Sequence, residues 1–392
     1  MQECVIVDGV RTPNGRAHAE KGWFRKKRPD ELLTAAYDGL FARNQQVKPE
    51  DVDAVLVGCA NPSGMQNDIG RLGWLAGGYP DSVPSNTITN QCPSGMSATM
   101  HAARAIMTGE ADIMIAAGVE DMEKVAMGAN MDFPPRLFNR YNLMEFPMGA
   151  TAEKVAELYK IAREDMDNMA AWSNIKAAAA RNAGKFKNEI IPVMGVNDAG
   201  EEFLVEHDQW IRDKVDREKM KTMASPFKPG GNVTAATSSP LTQGACCLLL
   251  MSRKKADQLG CSYTYKYSYG VLGGCDPSIM GVAPVPAVQK LFKRTGLSPK
   301  DIGAVELNEA FASQALACIR ELKLDKDNAP FDKVNVWGGA IALGHPLGES
   351  GARIIITLLN VLKTEFPNEK YGLASLCGAF GNGAALLVEK VS

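Results

Sequence analysis

The chain has 392 residues, a net charge of −2, and 45% hydrophobic and 22% charged residues. This length predicts two or three domains, and the near-neutral charge argues against nucleic acid or a membrane surface as a partner. Because no apolar run reaches the roughly 18 residues of a membrane span, and the first residues lack signal-peptide features, we expect a cytoplasmic location.

Strand and helix patterns alternate over residues 1–120. Strands are predicted over 4–10, 52–60, 85–90 and 111–120, and helices over 29–44, 67–78 and 94–109. This alternation, with continuous apolar strands, predicts a mostly parallel α/β sheet with helices on both faces.

Residues 121–239 differ in composition from the first part. They are richer in Met, Asn and charged residues, contain a long helical pattern over 151–184, and end in a Pro- and Gly-rich segment. We interpret them as an insertion on the α/β body.

The last part of the chain repeats the pattern of the first. Strands are predicted over 301–309, 334–339, 371–378 and 383–391, and helices over 310–322 and 350–366. In the first part a strand is followed by NQCPSG, a helix and an apolar strand. In the second part a strand is followed by GHPLGESG, a helix and an apolar strand, so the two motifs stand at equivalent joints between a strand and a helix. This match predicts a duplicated unit whose pseudo-twofold symmetry brings Cys92 and His345 to one cleft.

Nine cysteines and only four histidines occur in the chain. The odd cysteine number and the lack of a Cys-x-x-Cys pair argue against a disulfide framework and a structural zinc site, so we expect no metal. Most cysteines, Cys246 and Cys247 among them, are therefore predicted to be small buried hydrophobic residues.

Cys92 is predicted to be an exception because it stands where a strand meets a helix. The positive end of a helix lowers the pKa of a thiol, so we expect an exposed, reactive side chain there. His345 lies in a Gly- and Pro-rich loop, which presents the ring as a base for that thiol. The alternatives are a buried structural cysteine and a turn histidine bonded to the backbone.

Two further strand ends carry polar or reactive side chains. Cys377 ends an apolar strand before a glycine-rich turn whose backbone N–H groups are candidate oxyanion donors; the alternative is a β-bulge with a core thiol. Asn308 ends another strand, where it either caps the next helix or orients a water in the cleft.

The motifs NQCPSGM, NEAF, GCDPSIMG, GGAIALGHPLGESGAR and the terminal Cys-Gly segment together resemble the thiolase family, most closely its degradative branch. The resemblance covers the whole chain. It implies two duplicated βαβαβαββ halves in a five-layer αβαβα arrangement. The halves would be residues 1–120 with 240–268, and 269–392, and residues 121–239 would form an inserted loop domain that binds coenzyme A.

The resemblance also implies the activity, which is thiolytic cleavage of a 3-oxoacyl-CoA by CoA. CoA is then a co-substrate, and no cofactor is covalently bound. Cys92 would be the nucleophile, His345 its base and Cys377 the second acid/base. His345 with a water held by Asn308 would form one oxyanion site, and the backbone N–H groups of Cys92 and Ala379 the other.

By the same resemblance, Arg212 and Ser239 would bind CoA, and Met148 and Phe380 would line the acyl pocket. The chain departs from the family pattern near these positions. Ala379 and Phe380 replace glycines of the terminal motif, and further departures are Pro147, Ala283, Gln243 and Glu349.

These departures keep other functions open. One alternative is a specialised thiolase for a bulky or aromatic 3-oxoacyl-CoA, such as benzoylsuccinyl-CoA in anaerobic toluene degradation, working with an accessory subunit. The presence of Cys377 argues against a Claisen-condensing synthase. The retention of all three reactive residues argues against a non-catalytic protein that binds CoA or lipid. The family resemblance implies a homodimer or larger assembly, alone or with a β-oxidation multienzyme subunit or a small accessory subunit.

Overall fold

The computed structural model describes residues 1–391. The strands are β1 (Cys4–Arg11), β2 (Gly15–Arg16), β3 (Ala54–Gly58), β4 (Ser85–Ile88), β5 (Ile113–Asp121), β6 (Val193–Val196), β7 (Glu202–Val205), β8 (Thr242–Ser252), β9 (Tyr265–Gly274), β10 (Ile302–Leu307), β11 (Tyr371–Gly378) and β12 (Asn382–Lys390). The helices are α1 (Pro29–Arg43), α2 (Ile69–Ala76), α3 (Ser94–Thr108), α4 (Met148–Leu158), α5 (Arg163–Asn182), α6 (Arg217–Thr222), α7 (Arg253–Gln258), α8 (Pro284–Thr295), α9 (Ala312–Leu322), α10 (Ala340–Leu343) and α11 (Leu347–Thr364).

The large sheet has the order β10-β11-β12-β9-β1-β8-β5-β3-β4, with β2 beside β8. In the first half β3 is parallel to β5, and β5, β8 and β1 are antiparallel neighbours. The second half repeats this series, because β10 is parallel to β11, and β11, β12 and β9 are antiparallel neighbours. A duplicated unit produces this strand-for-strand match.

The expectation of a mostly parallel sheet is wrong, because most neighbouring strands are antiparallel. The chain reverses directly from β11 to β12 through the short turn at Ala379–Gly381. Such a hairpin needs no crossover helix, and its strands are antiparallel as a consequence.

Helices form three of the layers. In the centre, α3 and α11 pack against each other, α3 also against β3 and β5, and α11 also against β10 and β11. On the outer faces, α1 covers β8 and β5, and α8 covers β9 and β12. The α11 sequence is apolar on nearly all sides, with Ile354, Ile355 and Ile356 at most 1% exposed, as a helix enclosed by two sheet halves requires.

The predicted strand over 334–339 is reduced to a single parallel bridge between Val334 and Val305. Asn335 has a left-handed backbone with φ of 45°. Its side chain takes the place of a strand partner, since it accepts from Leu307 N at 2.9 Å and donates to Leu307 O at 2.7 Å. The second half therefore has only this bridge where β4 runs beside β3 in the first half.

Residues 121–239 hold α4, α5, α6 and a separate two-stranded sheet of β6 and β7. Through α4 and α5 this segment packs on α9 of the second half. The boundaries at 120, 239 and 268 stay predictions, and the last predicted region ends at residue 392, which lies outside the described residues. Within residues 1–391, no helix has the length and apolar character needed to cross a membrane.

Candidate active site

A cavity of about 310 Å³ is lined by residues from both halves of the sheet and from the segment between them. Its wall brings together Cys92, His345 and Cys377. Cys92 lies just before α3 and His345 just before α11, so the packing of these two central helices sets their approach. Cys377 reaches the same wall from the end of β11.

Cys92 is buried, with 7% exposure, and burial raises the pKa of its thiol to about 12. The backbone N–H groups of Ala379 and of Cys92 itself act in the opposite direction, whereas the Glu120 carboxylate adds to the increase. The expectation of an exposed thiol with a lowered pKa is therefore wrong, because the desolvation cost exceeds the effect of the helix end. A neutral thiol of this kind needs a base at the moment it reacts.

His345 lies in the same cavity wall as Cys92. The ring is buried, and burial, with a smaller effect from the Arg353 guanidinium, lowers its pKa to about 3. Its Nδ1 lies 2.6 Å from Ser350 Oγ, and that hydroxyl donates to Pro346 O at 2.8 Å. Because the hydroxyl proton is used there, Ser350 Oγ accepts the Nδ1 proton, which leaves the Nε2 lone pair free to accept a proton.

Asn308 lies beside the His345 ring. Its Nδ2 is 3.4 Å from both ring nitrogens, and its Oδ1 is buried without a hydrogen-bond partner within residues 1–391. The alternative that it caps the next helix is wrong, since Phe311 occupies the N-cap position of α9. An open amide oxygen at a polar, buried site is suited to hold a water.

Cys377 is 1% exposed, and burial raises the pKa of its thiol well above the usual value, with a further contribution from the neighbouring Cys92. Gly378 permits the close approach of β11 to the start of α3. A Cβ atom at this position would lie only 2.4 Å from Pro93 Cδ, so a larger residue would push the two segments apart.

Glu120 lies beside the site and was not predicted from the sequence. It is the residue before the last of β5 and is 1% exposed. Its carboxylate accepts from the backbone N–H groups of Ala60 at 2.8 Å and Gly348 at 2.9 Å, and from Gln66 Nε2 at 2.7 Å. Ala60 belongs to the cavity wall and Gly348 to the first turn of α11, so this carboxylate ties together the loops of both halves.

One side of the cavity has an aromatic wall that we define as Phe133, Phe146 and Phe380. The ring centroid of Phe380 lies 5.9 Å from that of Phe133 and 6.0 Å from that of Phe146. Met148 belongs to the wall of the cavity, and its role at an acyl group stays a prediction. The other apolar residues of the wall include Met122, Met127, Met131, Leu143, Leu241, Met280, Phe311 and Leu347. The sequence signal for the methionines of the cavity wall was the Met-rich composition of residues 121–147.

The two residues predicted to bind CoA lie in different places. Ser239 is part of the cavity wall, and its backbone N–H donates to Ala310 O at 3.0 Å. Arg212 is exposed and does not belong to the wall.

Comparison with known proteins places this site in a family. The family described as "Thiolase, N-terminal domain" matches residues 4–254, and "Thiolase, C-terminal domain" matches residues 263–390. The chain therefore belongs to the thiolase family. It is an acyltransferase of this class, as the resemblance implied, and the non-catalytic alternative is not retained.

Curated relatives match over the full length. The chain is 42% identical over 392 residues to a 3-ketoacyl-CoA thiolase of Vibrio vulnificus, with 100% of both chains covered. It is 42% identical over 393 residues to a protein of the same name from Colwellia psychrerythraea, again covering 100% of both. The crystal structure of the Bacillus anthracis acetyl-CoA acetyltransferase superposes with a TM-score of 0.88 at 33% identity, covering 100% of this chain and 99% of the other.

Proposed function

We propose that the protein is a degradative 3-ketoacyl-CoA thiolase. It cleaves a 3-oxoacyl-CoA with CoA as co-substrate and releases a shortened acyl-CoA and acetyl-CoA, or another acyl-CoA, in the last step of a β-oxidation-type pathway. The name of the full-length relatives supports this reaction. The observation that carries it is one cavity wall that holds two thiols and a neutral imidazole.

The first step forms the bond between Cys92 Sγ and C3 of the substrate. His345 Nε2 takes the thiol proton, in the tautomer that the Ser350 contact favours. The backbone N–H groups of Cys92 and Ala379, which already act on the sulfur, stabilise the oxyanion of the tetrahedral intermediate. Loss of one such donor typically costs about 3–4 kcal/mol of barrier.

The second step breaks the C2–C3 bond, and the electron pair moves into the thioester enolate. The protonated His345 and a water held by Asn308 stabilise this enolate, while Cys377 donates its proton to C2. The high pKa of the buried Cys377 thiol suits a group that must be protonated when the enolate forms.

The third step transfers the acyl group to CoA. The Cys377 thiolate takes the proton of the CoA thiol, and the CoA thiolate attacks the acyl carbon on Cys92. The departing Cys92 sulfur recovers its proton from His345, which restores the starting state. In this proposal residues 121–239 form the CoA-binding loop domain, with Ser239 at the pantetheine and Arg212 at the adenine side.

A second candidate substrate is favoured by the aromatic wall. Phe380 stands where the family pattern has glycine, and two further rings hold it against the acyl cavity. Aromatic side chains in this arrangement bind a planar ring by edge and stacking contacts. The candidate is a bulky or aromatic 3-oxoacyl-CoA such as benzoylsuccinyl-CoA. A homodimer or larger assembly, with or without an accessory subunit, stays a prediction.

CoA-dependent loss of the 3-oxoacyl-CoA absorbance tests the function. A panel of straight-chain and aryl-substituted thioesters separates the two candidate substrates. Cys92→Ala is expected to abolish turnover, and Cys261→Ala, which removes a buried thiol outside the cavity wall, is the matched control. Full activity of Cys92→Ala would show that the mechanism is wrong.

A further inference from the structure

Phe380 belongs to the walls of two cavities. One is the proposed acyl cavity described above, and the second, of about 610 Å³, is more open to solvent and lined mainly by polar atoms. The wall of the second cavity includes Arg140, Tyr141, Asp276 and Asn382. Phe380 therefore stands between apolar surroundings on one side and polar ones on the other.

Arg140 is the cation in the wall of this second cavity; it is exposed, and its charge contributes to the lowered pKa of Asp276. Its guanidinium lies 5.0 Å from the centroid of the Tyr141 ring, and its side chain makes no ion pair or hydrogen bond within residues 1–391. A guanidinium stacked on a ring keeps its in-plane N–H groups available for two parallel bonds to a carboxylate.

The other charges near this cavity are already bound. Asp276 Oδ1 accepts from Ser278 N at 2.8 Å and from Ser278 Oγ at 2.7 Å, and these bonds lower its pKa. Lys154 contacts both Ser278 Oγ and the Glu145 carboxylate. Asp276 thus shares the cavity with Arg140 without forming an ion pair with it.

The backbone of Phe380 indicates that its ring is held in place. Its φ of 63° and ψ of 23° are left-handed, a conformation that residues with a side chain rarely adopt. Non-glycine residues persist in it only when surrounding contacts fix them, and such sites cluster near ligands. Phe133 and Phe146 supply those contacts.

We propose that the second cavity is a subsite for a carboxylate carried by the acyl substrate, bound by Arg140 and separated from the acyl cavity by Phe380. This inference rests on the proposed function and narrows its substrate class to 3-oxoacyl-CoA thioesters that bear a second carboxylate. Asn382 is a second polar contact, since its Nδ2 donates to Ala379 O at 3.2 Å and retains another proton.

The test uses matched pairs of 3-oxoacyl-CoA thioesters. The two members of a pair are identical except that one carries a carboxylate where the other carries a carboxamide. In one pair this group ends the acyl chain, and in the other it is carried on a branch at C2. In at least one pair the wild type is expected to prefer the carboxylate in kcat/KM by about tenfold or more, as a charge-assisted bidentate contact predicts.

Arg140→Gln is expected to abolish that preference while the carboxamide is cleaved at the wild-type rate. Arg136→Gln is the matched control, because it removes an exposed arginine of the same segment that does not line the cavity. An unchanged preference in Arg140→Gln, or none in the wild type, overturns the inference and leaves the proposed function in place. If the wild type cleaves none of the thioesters, the proposed function itself falls.

The KM for CoA separates an acyl carboxylate from a CoA phosphate as the anion at Arg140. We expect Arg140→Gln to leave this KM unchanged. A similar rise in the KM for CoA with every thioester would assign the cation to a CoA phosphate and overturn the carboxylate subsite.

Discussion

The two halves of the sheet share one strand order but carry different side chains at their equivalent joints. In the first half β4 leads to Cys92 and α3, and in the second α10 leads to His345 and α11. Because α3 and α11 pack together, the two joints face one cavity. A duplicated unit can thus place the proposed nucleophile and its base on separate rigid elements, where each residue is free to specialise.

The largest expected effect comes from removing the His345 side chain, the proposed base at the joint of the second half. With a Cys92 pKa of about 12, the thiol gains little from its own helix end and depends on the imidazole. We expect His345→Ala to lower kcat/KM at neutral pH by about 10³-fold or more. The control is His101→Ala, on the exposed side of α3. If His345→Ala kept most of the activity, the division of labour between the joints would not hold.

The next largest effect comes from the carboxylate that connects the halves. Glu120→Ala leaves the backbone N–H groups of Ala60 and Gly348 without their acceptor in a buried place. We expect a loss of about 3 kcal/mol or more in the free energy of unfolding, measured by denaturant titration. Glu120→Gln retains one acceptor oxygen and should lose less. Equal stability of Glu120→Ala and the wild type would show that the halves do not depend on this link.

A smaller effect tests whether Ser350 fixes the ring tautomer of His345, the proposed base. Ser350→Ala removes the acceptor of the Nδ1 proton and allows the other ring tautomer. We expect about a tenfold lower kcat with nearly unchanged KM, and an altered pH profile of kcat. Ser313→Ala, which removes a buried hydroxyl bonded to Ala152 O, is the control. A change in thermal stability without any change in the pH profile would reduce Ser350 to a packing role.

The last prediction concerns the dependence of stability on pH, an effect that is small for each pH unit. The pKa of about 3 for His345 means that below about pH 6.5 the unfolded chain binds a proton that the folded one does not. Stability should therefore fall with decreasing pH between these values, by about 1.4 kcal/mol per pH unit from this residue. In His345→Asn this part of the slope should disappear, whereas replacing the exposed His18 by Asn should leave it. An unchanged slope in His345→Asn would show that another group causes it.

Much of the fold could be predicted from periodicity. The patterns for α1, α3, α11 and β11 lie within a few residues of the observed elements, and the repeated joint correctly brought Cys92 and His345 to one cavity. The strand predicted over 334–339 failed because Asn335 turns left-handed and bonds to β10 through its side chain. A local apolar pattern does not contain that information.

The surroundings of each site residue were harder to predict from the sequence than which residues line the cavity. The pKa of the Cys92 thiol depends on its burial and on Ala379 and Glu120, which are distant in sequence, so a single motif could not reveal that it is raised. The Ser350 contact and the aromatic wall depend on side-chain positions that no spacing rule supplies.

Gly378 allows the segments that carry the two proposed reactive thiols to approach closely, because it has no side chain. A single methyl group there would act as a wedge 2.4 Å from Pro93 Cδ, between the turn that follows Cys377 and the segment that follows Cys92. The two sulfur atoms belong to different halves of the duplicated sheet, and their segments approach each other here with no room for a further carbon atom. In the proposed mechanism Cys92 carries the acyl group while Cys377 exchanges protons with the substrate and with CoA, so both sulfurs must face one substrate across this close approach.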